Sequence, residues 1–230
     1  MSNIKVIETR DGSSSLLIPE MNETYHSTHG AITESEYVFL KMGLNHFREM
    51  HTDQNEIRIL EIGFGTGLNV WLTALAAMDF DLKIKFVSIE KFPLEANLVN
   101  QLNYRNKKGT EAEEIFDQIH SSGWGKEQAI TDQFSLIKNK SDLFDFDTPA
   151  QSFDIVYFDA FAPSKQPEMW SLEILNKMFD LLDEGGVFVT YCAQGQFKRD
   201  LKLAGFETEE LEGPPGKKEM TRGTKKTFGV

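Results

Sequence analysis

The 230-residue sequence predicts an α/β fold, a doubly wound and mostly parallel sheet with helices on both faces. Three observations carry this. Short apolar runs of strand length alternate with segments in which apolar residues recur at helical spacing. The first such run leads into a glycine-rich turn, Gly63-Phe64-Gly65-Thr66-Gly67, which opens a helix. The last quarter then offers two more strand-like pieces separated by a Gly-Pro-Pro-Gly turn instead of a helix.

Residues 1–30 read as extended pieces joined by turns, with Asp11-Gly12 as a hairpin turn. From 33 to 50, Tyr37, Val38, Leu40, Leu44 and Phe47 mark a helix with Thr33 or Ser35 as its N-cap. A strand over 58–62 passes through the glycine turn into a helix over 68–78. The second strand, 84–89, ends at Glu90, and a helix over 94–102 follows. Residues 103–133 exceed a short crossover and read as an insertion, which Phe116, Ile119, Trp124 and Ile130 make helical and docked. Strands at 134–137 and 153–158 come next, then a helix over 171–182, a strand over 187–191 and a helix over 196–204. Segments 206–211 and 226–230 supply a terminal antiparallel hairpin, for seven strands in the sheet. The reading is one structural domain, with 1–55 as an extension and helix packed on the core formed by 56–230.

Composition narrows the function. No apolar run approaches the roughly 20 residues that span a bilayer, and the N-terminus lacks a signal-type apolar block. A single cysteine, Cys192, excludes an internal disulfide framework and suits a reducing compartment, so a cytoplasmic location is expected. The net charge of −12 argues against a polyanionic partner. The charge is uneven, however: Lys217, Lys218, Arg222, Lys225 and Lys226 face only Glu219 in the last 18 residues, and Arg105, Lys107 and Lys108 cluster elsewhere. These cations either solubilise a tail and a loop or contact nucleic-acid phosphates.

The glycine turn is compatible with NAD, with S-adenosylmethionine, or with close packing alone. Its spacing is G-x-G-x-G, and Leu68 stands where a dinucleotide fingerprint needs its third glycine. Glu61, two residues before Gly63, would repel a pyrophosphate and attract the ammonium of a methionine moiety, which favours S-adenosylmethionine. The loop residues Gly63, Phe64, Gly65, Gly67 and Asn69 are therefore expected at the cofactor. Glu90, at the tip of the second strand, is placed to accept both ribose hydroxyls, with Lys91 beside it. Asp142, after the third strand, takes either the adenine amino group or a helix N-cap role.

Asp159 ends the fourth strand, which in this topology lies beside the first, at the crevice where ligands bind. There a carboxylate can hold an ammonium, remove its proton, or aim the nitrogen at a methyl group. Pro163 and Pro167 stiffen the loop behind it. Alternatively Asp159 caps a strand and the prolines are a rigid connection. Phe161 and Trp170 flank the position and are candidates for holding a planar base, and Tyr25 and Tyr191 are further candidates for lining the pocket. Trp71, Phe80 and Phe86 read as core, Cys192 as a packed small residue, and His26 with His29 lacks the companions of a metal site.

The stretches Glu61-Ile62-Gly63-Phe64-Gly65-Thr66-Gly67-Leu68-Asn69, Ser88-Ile89-Glu90-Lys91-Phe92-Pro93-Leu94 and 159–170 resemble the MnmC-like methyltransferase family. Tyr25-His26-Ser27, 34–40 and Gly216-Lys217-Lys218-Glu219-Met220 are similar to its flanking segments. The resemblance implies a Rossmann-like class I methyltransferase that moves methyl from S-adenosylmethionine to the exocyclic amine of 5-aminomethyl-2-thiouridine at the tRNA wobble position. It implies the glycine loop and Glu90 at the cofactor, Asp159 at the methyl-transfer site, and tRNA as partner of Lys217, Lys218 and Arg222. Pro163, Phe161 and Trp170 fall to the substrate side. The bifunctional enzymes of the family carry a second, FAD-dependent domain, for which 230 residues leave no room, so a separate enzyme is expected to supply the amine. Two alternatives stay open: a same-fold methyltransferase acting on a small amine or another RNA nucleoside, and a non-catalytic S-adenosylmethionine- or tRNA-binding module.

Overall fold

A computed structural model describes residues 4–226. The chain opens with three short antiparallel strands, β1 (Lys5–Glu8), β2 (Ser14–Ile18) and β3 (Glu23–Thr24), the first two joined through the expected Asp11-Gly12 turn. A continuous helix, α1, follows in three segments, Ala31–Ser35, Glu36–Asn45 and His46–Met50, the middle one wound in the wider π form. Its N-cap is Gly30, not Thr33 or Ser35. The hairpin turn does the capping instead. Asp11 Oδ2 accepts from the Thr33 N–H at 3.0 Å, and Ser13 Oγ accepts from the Ala31 and Ile32 N–H groups at 3.2 and 3.3 Å.

The main sheet comprises β4 (Glu56–Ile62), β5 (Lys83–Ile89), β6 (Gln128–Ala129), β7 (Phe134–Asn139), β8 (Phe153–Phe158), β9 (Leu182–Thr190), β10 (Glu207–Glu212) and β11 (Glu219–Thr224). Their order across the sheet is β10-β11-β9-β8-β4-β5-β7-β6. Strands β7, β5, β4, β8 and β9 run parallel, while β11 and β10 close one edge antiparallel. The expected seven strands are thus joined by an eighth, because the 103–133 insertion adds β6 against the far edge. The final strand is Glu219–Thr224, earlier than the segment 226–230, whose last four residues lie outside the described region.

Helices α2 (Leu68–Asp79), α3 (Ala96–Val99), α4 (Thr110–Ser121), α5 (Leu172–Leu181) and α6 (Gly195–Leu203) cover the sheet. α3 is shorter than the expected 94–102 helix, the residues on either side of it running as bends and turns. The insertion docks through α4: its Phe116 meets Trp71 edge to face, and the Trp71 indole donates to the Ala112 carbonyl at 2.7 Å. α1 lies on β8 and β9 closely enough that a Cβ at Gly43 would stand 2.9 Å from Val189 Cγ1, so only glycine permits the approach. Trp71 and Phe86 are core as expected, whereas Phe80 is 40% exposed beneath the Arg48 guanidinium. No helix among the described residues is long and apolar enough to cross a membrane.

The cation-rich end is mostly built into this fold. Arg222 is buried in β11, pairs with Glu209 at 2.9 Å and donates to the Met42 carbonyl at 3.1 Å. Lys225 is buried too, its ammonium donating to the Phe179 and Leu182 carbonyls at the end of α5, each at 2.8 Å. Replacing it (Lys225→Met) strands both carbonyls without a donor. A loss on the order of 3 kcal/mol in urea denaturation is expected, with cofactor affinity unchanged. Intact stability would mean that the ammonium is not structural.

Candidate active site

At the carboxyl ends of the parallel strands lies a cavity of about 1140 Å³. That exceeds the usual pocket for one drug-sized ligand, roughly 300–1,000 Å³. The glycine turn forms one lip. A Cβ at Gly63 (φ 94°) would stand 2.7 Å from the Asp159 carbonyl oxygen, and one at Gly65 (φ 49°) 3.2 Å from the Tyr25 ring. Both glycines are therefore required by contacts within the protein and by their positive φ, and both line the cavity. Phe64, Asn69 and Lys91 also line the cavity, whereas Gly67 faces away and abuts His120.

Glu90 stands at the tip of β5, where Gly65 N–H donates to its Oε2 at 3.0 Å and Phe92 N–H to its Oε1 at 2.7 Å. Each oxygen keeps lone pairs toward the cavity, a geometry suited to two vicinal ribose hydroxyls. Asp142 caps no helix. Its Oδ1 accepts from the Phe144 N–H at 3.1 Å and its Oδ2 pairs with Lys91 at 2.6 Å, which holds the carboxyl below the ordinary range. The exposed rings of Phe92 and Phe144 flank this end of the cavity, a feature with no signal in the sequence beyond the neighbouring acids.

Glu61 departs from expectation. It is fully buried, does not line the cavity, and takes the Ser88 hydroxyl on one oxygen while the other has no partner. Burial pushes its carboxyl well above the ordinary range, opposed by Ser88 and reinforced by Asp159. Buried behind the loop, its carboxyl does not reach a ligand in the cavity.

Asp159 sits half-buried on the cavity floor. Its Oδ2 accepts from the Asn69 side-chain amide at 2.9 Å, and its N–H donates to the Ile62 carbonyl at 3.0 Å. Burial raises its carboxyl to about 7; Asn69 and Lys217 pull it down, and Glu34 pushes it up. Asn69 therefore serves Asp159, although the sequence places it with the cofactor. Phe161 lines the cavity and meets the Tyr25 ring edge to face at 5.2 Å. Trp170 does not: it is buried behind the loop, its indole donating to the Phe161 carbonyl at 2.8 Å. Pro163, Arg222 and Lys218 also lie off the cavity wall, and Lys217 lies on it.

The N-terminal unit supplies the opposite wall. His26 Nε2 shares a 2.8 Å hydrogen bond with Thr66 Oγ1 of the glycine turn, and burial keeps the imidazole neutral by lowering it to about 4. Its role in holding the loop is invisible to spacing; the signal was its place in the Tyr25-His26-Ser27 segment. Cys192 is buried and packed. Among the described residues, no group of three or more His, Cys, Asp or Glu side chains could hold a metal.

A strand-end glycine turn, an acid at the tip of the next strand and a sheet closed by an antiparallel hairpin define a class I S-adenosyl-L-methionine-dependent methyltransferase. Comparison with known proteins agrees. Residues 129–226 match the model of an S-adenosyl-L-methionine-dependent methyltransferase family. The chain is 33% identical over 219 residues to the tRNA 5-methylaminomethyl-2-thiouridine biosynthesis bifunctional protein MnmC of Pseudoalteromonas atlantica, covering 88% of this chain and 31% of that protein. It is 31% identical over 216 residues to the MnmC of Burkholderia thailandensis, covering 89% and 33%. The crystal structure of MnmC2 from Aquifex aeolicus superposes with a TM-score of 0.78 at 27% identity, covering 97% of this chain and 70% of that one. The chain is similar to the methyltransferase part of these MnmC proteins and spans about a third of the length of the curated relatives it matches.

The bare turn beside Gly63 and Gly65 and the two acceptors of Glu90 fit S-adenosyl-L-methionine, with Asp142 and Lys91 at the far end. Two substitutions separate the acids. Glu90→Gln should weaken S-adenosyl-L-methionine binding by about tenfold or more in calorimetry, whereas Glu61→Gln should leave it within about threefold. A large loss in Glu61→Gln would restore the charged reading of that residue.

Proposed function

We propose that the protein methylates the exocyclic amine of 5-aminomethyl-2-thiouridine at the wobble position of tRNA, giving 5-methylaminomethyl-2-thiouridine. The observation that carries this reading is Asp159, an anchored carboxyl with a near-neutral midpoint on the floor of a cavity large enough for two ligands. The names of the relatives support the same substrate.

S-adenosyl-L-methionine, when bound, supplies an electrophilic methyl group. The protein's own residues do the rest. The amine arrives as an ammonium; ionised Asp159 holds it by a charge-assisted hydrogen bond and accepts a proton as the nitrogen lone pair is freed. Asn69 fixes which carboxylate oxygen faces the amine. Phe161 offers a ring face to the pyrimidine, locked by Tyr25 at its edge and by Trp170 at its backbone. The RNA is gripped by exposed cations around the mouth, among them Lys218, next to the cavity-lining Lys217. The work takes place in the cytoplasm.

Nucleoside mass spectrometry after incubation with S-adenosyl-L-methionine and tRNA bearing the aminomethyl wobble base should show one added methyl. Asp159→Ala should lower the rate by about 10²–10⁴ with cofactor binding retained; no methyl gain in the wild type overturns the substrate. The pH dependence has two opposite signs. Catalysis needs the carboxylate, so kcat/KM of the wild type should rise through an inflection near 7, absent in Asp159→Asn. The free protein behaves the other way, because its raised midpoint makes the folded state hold a proton that the unfolded chain releases. That stabilisation is complete below the ordinary value of 3.8 and lost as pH rises through about 7. The melting temperature of Asp159→Asn should therefore gain on the wild type across that window.

A further inference from the structure

Glu34 is the second carboxylate of the acceptor half. It is buried in α1, its Oε1 accepts from the Ser27 N–H at 2.9 Å, and it lines the same cavity as Asp159. A buried anion beside an amine-binding acid competes for the amine. Lys217 answers it. Its ammonium pairs with Glu34 Oε2 at 2.6 Å and lies 3.8 Å from the centroid of the Tyr191 ring. Both supports are cavity walls, and the Tyr191 hydroxyl donates to the carbonyl of Ala160, next to Asp159, at 2.8 Å. The hairpin turn between β10 and β11 delivers the lysine: Gly216 has φ 90°, and a Cβ there would overlap the His29 ring, so the turn reaches the N-terminal wall only with glycine at that place.

We infer that Lys217 is a positioning residue for methyl transfer, which cancels the charge of Glu34 so that Asp159 alone claims the incoming amine. This rests on the substrate reading above, and it assigns Lys217 to the chemistry instead of to RNA phosphates. The charged and titratable groups facing Asp159 are Glu34, Lys217, Glu61 and Tyr191. Burial pushes the Glu61 carboxyl well above its ordinary range and likewise raises the Tyr191 hydroxyl. The Glu34–Lys217 ion pair is thus the charge pair on the cavity wall beside Asp159. Removing the cation alone exposes Asp159 to an unscreened anion, and removing both restores the balance.

The test reads Asp159 directly, by carbon-13 NMR of side-chain carboxyls in the full chain, with the Asp159 signal identified by its loss in Asp159→Asn. In Lys217→Met the midpoint should move up by roughly half a pH unit or more. In Glu34→Gln, which leaves the ammonium unpaired, it should move down. In the double variant it should return close to the wild-type value. Methylation of the aminomethyl-bearing tRNA should fall about tenfold or more in Lys217→Met and recover in the double variant, with S-adenosyl-L-methionine affinity steady throughout. An unmoved midpoint in Lys217→Met, or a double variant as impaired as the single one, overturns the inference. A wild type inactive on that tRNA, with the NMR midpoints moving as stated, would sink the substrate and leave the charge pairing standing.

Discussion

The approach of Gly63 to the Asp159 carbonyl is the constraint on which the rest of the site depends. At that point β4 has both neighbours stitched to its last residues: Asp159 N–H reaches the Ile62 carbonyl at 3.0 Å, while Gly63 and Phe64 N–H reach the Ile89 carbonyl at 3.0 and 3.2 Å. Any side chain at 63 would push β8 away from β4. With hydrogen the only substituent, the turn, the tip of β5 and the end of β8 converge within one tight knot. The crevice opens beyond it, between β4 and β8, where the strand order reverses: β5 and β7 lie on one side of β4, and β8 and β9 on the other. Glu90, Asn69 and Asp159 then need no long-range adjustment to face one another; the sheet has already set their separation.

Three acids near this knot show how environment divides one functional group into several roles. Glu61 has no route to solvent and a partner on one oxygen only, so burial resists its ionisation and it serves as scaffolding. Glu90 is wired to two backbone N–H groups and presents acceptors. Asp159 lies between these extremes, dry enough to resist ionisation yet held by one amide, and its midpoint near 7 lets it exchange a proton at working pH. Sequence position separates none of these fates. Glu61 and Asp159 both sit at or near strand ends beside small residues, and only the depth of the side chain tells them apart.

That is also the boundary of what the sequence discloses. The 153–158 strand, the glycine turn, the acid after β5 and Asp159 were legible because their signals are local: an apolar run, a spacing, a position at a strand end. Arg222 and Lys225 read as a basic tail, since nothing local shows that β11 turns their side chains inward onto Glu209 and the end of α5. Trp170 read as a stacking platform, and its indole instead braces Phe161 from behind. The eighth strand arises from an insertion whose pairing with β7 has only two residues to announce it.

The N-terminal extension is the largest such case, and it changes what counts as the catalytic domain. Its hairpin caps α1 through Asp11 and Ser13; its His26 ties down Thr66; its Tyr25 meets the Phe161 ring; and its helix carries Glu34 to the cavity wall. The terminal hairpin meets it from the other end of the chain, bringing Lys217 onto Glu34. The cofactor half of the cavity is thus made by consecutive strand–helix units, as in any sheet of this order. The other half is closed by the N-terminal segment and the β10–β11 turn, which meet at Glu34 and Lys217. One half of the cavity therefore depends mainly on the ends of β4 and β5, and the other on contacts far apart in sequence, such as that of Lys217 with Glu34.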